Sequence, residues 1–123
     1  MTALDEGPRH SLLHPTSAIT RNAFNLCGKL LEERVFGNDT KFLLHSYFIL
    51  DTIRNIDEFL YIRRSHPGSL TASPDTNMDS PIRLNLLYKW MLDFEMIKSG
   101  KLNLEDSSLK YEEPEFRFQI KTL

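Results

Sequence analysis

The side chains with most chemistry to offer on this 123-residue chain are four histidines, one cysteine and the carboxylates between Asp51 and Glu58. His10 and His14 stand four apart, a spacing that aims two imidazoles at one metal ion if the segment is helical. Pro15 follows directly, however, and no third ligand lies nearby, whereas a stable site takes three or four. A polar arm accounts for the pair. His45 sits among Phe48 and Ile49 with Thr52 further on, and Asp57 falls toward the apolar side of the same periodic stretch, near Tyr61 and Arg64. Together they could form the acid–base pair of a small helical enzyme, with a pocket between helices as its site. No nucleophile stands at a telling spacing from either, so a partly buried, hydrogen-bonded histidine and a structural carboxylate explain them more simply.

Cys27 borders an apolar stripe, where a free thiol behaves as a small hydrophobe. Asp51 and Glu58 share a helical face with Arg54 and are explained as ion pairing on a wet surface. Arg63, Arg64 and His66 cluster where a helix should end; they could grip an acidic partner or a phosphate, although interaction with the helix dipole is sufficient reason for them. The sequence contains no Gly-rich phosphate loop, CxxC pair or HExxH. Neither cofactor nor metal is expected, and the residues point toward binding more than catalysis.

Composition narrows the partner. The chain is 41% hydrophobic and 26% charged, values of an ordinary globular protein of about one domain. A formal net charge of -2 gives no general attraction to nucleic acid, and no apolar run approaches the roughly 20 residues of a membrane span. A single cysteine excludes an internal disulfide, and MTALDEGPRHSLLHP lacks the pattern of a secretory signal, so a cytoplasmic location is expected. Asn38-Asp39-Thr40 then has the chemistry of a turn and helix cap, not of a glycosylation acceptor.

Three helices must carry these residues. Residues 1–14 form an arm. Pro15-Thr16-Ser17 opens helix one, in which Ile19, Ala23, Leu26 and Leu30 recur at the helical period up to about Phe36, where Gly37 stops it. Helix two covers HSYFILDTIRNIDEFLYIRR extended back to Phe42, with Phe42, Ile49, Ile53, Ile56 and Leu60 along one line as its core stripe. Leu43, Phe48, Leu50, Phe59 and Tyr61 widen the apolar arc. Residues 66–79, rich in Ser, Thr, Pro and Asp, form the long loop. Ser80-Pro81 starts helix three and Gly100 closes it, with Leu84, Leu87, Met91 and Phe94 as the main stripe, Trp90 and Ile97 on one flank, Tyr88 on the other, and Leu92 and Met96 nearly behind. Residues 101–123 have no helical stripe, and Phe116, Phe118 and Ile120 alternate with polar residues as in a strand.

Two stretches, IRNIDEFL in helix two and IRLNLLYKWMLDFEMIKSGKLN in helix three, resemble the small cytoplasmic flagellin export chaperones in their spacing and their Leu-Tyr-x-x-Met core. The resemblance implies an antiparallel helical bundle that holds the disordered C-terminal part of a client along its surface until export. Those chaperones continue into another long helix where this chain has EEPEFRFQIKTL, so no client-binding residue carries over.

The expected fold is therefore mainly α: an antiparallel bundle of three long helices over residues 15–100, with an arm before it and an extended or β segment over 101–123. The expected function is non-enzymatic protein binding, as an export or assembly chaperone or adaptor. An immunity protein or antitoxin is the second reading and the His45/Asp57 enzyme the third. The partner is another protein or a second copy, met through Phe116, Phe118, Ile120, Leu92, Met96, Arg63 and Arg64.

Overall fold

The structure, a computed structural model, describes residues 5, 16–28, 37–56, 58, 60–62, 77 and 79–112. Among them are three α-helices and no strand: α1 over Arg21–Leu26, α2 over Asn38–Ile49 and α3 over Pro81–Lys98, followed by a 3-10 turn at Leu104–Asp106. The chain is mainly helical. Asp57, Arg63, Arg64, Phe116, Phe118 and Ile120 lie outside the described residues.

α1 is shorter than the apolar period suggests. The Thr20 hydroxyl accepts a hydrogen bond from the Ala23 amide at 3.2 Å and so caps its start. Its end comes at Cys27, whose amide reaches the Ala23 carbonyl, and Gly28 follows in the left-handed region at φ 78°. A Cβ on Gly28 would collide with the Tyr111 ring, whereas one on Gly100, at φ 73°, would meet open space. Alanine at Gly100 should therefore cost only the left-handed strain, about 1–2 kcal/mol. Gly28→Ala should cost more by the displacement of Tyr111, and urea unfolding of the two variants measures the difference.

α2 ends about four turns earlier than expected. Leu50 is already extended (φ -98°, ψ 133°), and residues 51–56 and 60–62 carry no helix. The reason lies in which face meets α3. Leu44 is buried and Phe48 packs on Phe94, and the positions that continue this line at the helical period are Asp51, Asn55 and Glu58. A longer helix would carry those polar groups along the face that packs on α3, at a desolvation cost, with Ile49, Ile53, Ile56 and Leu60 turned well over 100° away. The expected core stripe is accordingly not the core: Ile49, Ile56 and Leu60 are exposed.

α3 starts and stops where the sequence places it. Asn77 accepts from the Asp79 amide and from Ser80, turning the chain into Ser80 and Pro81; at the other end Gly100 donates to Ile97 while Lys101 and Leu102 donate to Met96. Its buried face is rotated from the expected stripe. Trp90 and Phe94 are its innermost residues, with Leu86, Leu87 and Ile97 around them, and Leu84 and Met91 are exposed.

The core joins Leu44 of α2, Trp90 and Phe94 of α3, and Leu109, which is 0% exposed. Tyr47, Phe48 and Phe94 form an aromatic triangle with ring centroids 4.8–5.2 Å apart. Leu109 corrects the reading of residues 101–123 as one extended segment. Residues 101–110 are a compact turn, in which Asp106 and Ser107 donate to the Asn103 and Leu104 carbonyls and the Ser107 hydroxyl also donates to Leu104.

Candidate functional site

α2 delivers His45 to the inner side of that turn. The residue is 6% exposed, and its Nδ1 lies 2.9 Å from the Leu109 carbonyl. A carbonyl only accepts, so Nδ1 carries the proton and, in the neutral ring, Nε2 carries the lone pair. Burial holds His45 below its ordinary pKa of 6.5. The Leu109 carbonyl and the Glu105 carboxylate pull the other way, and Lys41 adds to the lowering. The imidazole is thus a neutral structural donor in the folded chain.

α3 pins the same turn from its own side. Asp93 Oδ2 accepts from the Ser108 amide at 2.7 Å and from the Ser108 hydroxyl at 2.6 Å, while the Leu109 amide donates to the Ser107 hydroxyl at 3.1 Å. Sequence reasoning finds His45 as a buried, hydrogen-bonded residue but misses Asp93, Ser107, Ser108 and Leu109. Their signal is local: Asp106, Ser107 and Ser108 are turn-forming types set between Leu104 and Leu109, with Asn103 just before, and the small apolar pair is what a reading of 101–123 as one extended segment ignores.

A separate cleft of about 390 Å³ opens beside α2, lined by Asp5, Tyr47, Leu50, Asp51, Thr52, Ile53 and Arg54. Tyr47 donates its hydroxyl to Asp5, and Lys98 donates to the Asp5 carbonyl while its ammonium sits 5.8 Å from the centre of the Tyr47 ring. His45 is not among the residues that line this cleft. No group of three His, Cys, Asp or Glu among them is placed to hold a metal ion.

The remaining feature is apolar. On α3, Leu84, Tyr88 and Met91 follow one another at i, i+4 and i+7 with Leu92 beside them, all exposed, Tyr88 at 71%. Ile56, Leu60, Tyr61 and Ile62 are exposed as well, Ile62 at 95%. Met96 is half-buried. No family model, curated protein or solved structure matches the chain. Of the two stretches that resemble flagellin export chaperones, the one in α3 is helical here, whereas Ile53–Ile56 is not.

Among the described residues no helix is long and apolar enough to cross a membrane.

Proposed function

We propose that the chain works by binding another protein, as a small cytoplasmic export or assembly chaperone or adaptor. The exposed row Leu84, Tyr88, Met91 and Leu92 carries this reading, because it lies along a regular 18-residue helix whose other side is held by the core. A helix with apolar residues on two sides has surface left for a second body, and a soluble monomer rarely leaves a contiguous apolar patch without use. Each side chain contributes at most about 1.5–3 kcal/mol when a partner removes it from water. In this reading the described core belongs to an antiparallel three-helix bundle. Arg63 and Arg64 are then proposed to meet acidic groups of the partner, and the alternating Phe116, Phe118 and Ile120 to pair with the client as an extended arm.

The test is affinity capture with the full chain against a Leu84→Ser, Tyr88→Ser, Leu92→Ser variant, with bound proteins identified. Capture of an export or assembly client that drops sharply in the variant, while the melting temperature stays within a few degrees, is the expected result. Equal capture by both chains would remove the reading. A toxin as the bound protein would assign the surface to neutralisation instead.

A further inference from the structure

We propose that residues 104–110 form an acid-released latch, in which proton uptake at His45 undocks the turn from α2 and α3. The geometry makes the two events one. The Leu109 carbonyl lies 2.9 Å from Nδ1 and the Leu109 side chain is fully enclosed, so water reaches the ring when the turn lifts. A charged imidazole is costly in that enclosure and ordinary in water, so a proton at His45 favours the lifted form.

The charged groups around the ring determine the sign. Lys41, one turn earlier on α2, opposes a charged ring, and Glu105 of the turn favours one; Asp93 of α3 is engaged with Ser108. Burial outweighs Glu105 and the Leu109 carbonyl, which leaves the docked histidine with the lower proton affinity. The lifted form therefore binds more protons. Docking is fully favoured above the ordinary 6.5 and weakens as the pH falls through it toward the docked value. The turn is short and is held by the Leu109 side chain and a few hydrogen bonds, so it can open as one unit while the α2–α3 packing stays closed. Lifting it uncovers the apolar seat among Leu44, Trp90 and Phe94.

Hydrogen exchange of the full chain at about pH 7.5 and about pH 5.5, corrected for the intrinsic pH dependence of exchange, tests this. The amides of 107–110 should lose protection at the lower pH while those of 86–97 keep theirs, and the emission of Trp90, the only tryptophan, should move to the red. His45→Gln should abolish the pH dependence. Glu105→Gln removes the group that eases the charged ring and should make acid release more complete, a readout that does not rely on His45→Gln folding. Equal loss of protection along 86–97, no change between the two pH values, or unaltered pH dependence in both variants would overturn the latch.

Discussion

Phe94→Ala should lower the unfolding free energy by about 3–5 kcal/mol, the usual cost of removing a fully buried aromatic ring. Phe94 is 0% exposed and its ring touches both Tyr47 and Phe48, at centroid distances of 5.1 and 4.8 Å. Alanine therefore gives up the buried area, leaves a cavity between α2 and α3, and deletes two aromatic contacts worth about 0.5–1.5 kcal/mol each beyond their area. Against a typical total of about 5–15 kcal/mol, much of the stability goes. Urea unfolding followed through Trp90 measures it. Leu92→Ala, two residues away on the exposed side, should stay within about 0.5 kcal/mol of the parent. A loss below about 1 kcal/mol at Phe94 would show that α2 and α3 are not joined through this triangle.

How much of this is legible in the sequence depends on whether the deciding contact is local. α3 is legible at both ends because Ser80-Pro81 and Gly100 are local start and stop chemistry, and the structure keeps them. Gly37 is legible as a left-handed residue, at φ 81°, though its place is the N-cap of α2. The end of α2 is not legible. Apolar residues continue at the helical period past Ile49, and only the choice of Leu44 and Phe48 as the face toward α3 reveals that the continuing stripe is turned away from the core. Periodicity gives the existence of a face, not which neighbour it meets. The same limit governs the site. His45 is recognisable as a buried, hydrogen-bonded histidine from its apolar setting, but its partner is 64 residues away, beyond any spacing argument.

Leu109→Ala decides between the two accounts of the C-terminal part. As one residue of an extended segment standing apart from the helices, Leu109 could be truncated at a cost near zero, within about 0.5 kcal/mol. As a fully enclosed member of the core with Leu44, Trp90 and Phe94, it should cost about 2–5 kcal/mol on truncation. A companion change tests whether the turn acts as a unit. Asp93→Ala removes the acceptor of two Ser108 hydrogen bonds, and bonds to a charged acceptor are worth about 1.5–3 kcal/mol each. Both substitutions loosen one seven-residue turn. Once it has lifted there is little left for the second change to remove, so the double variant should lose clearly less than the sum of the two single losses. Strict additivity in chemical denaturation would mean that Leu109 and Ser108 are held independently, and the turn would then be two separate contacts and not a single docked body.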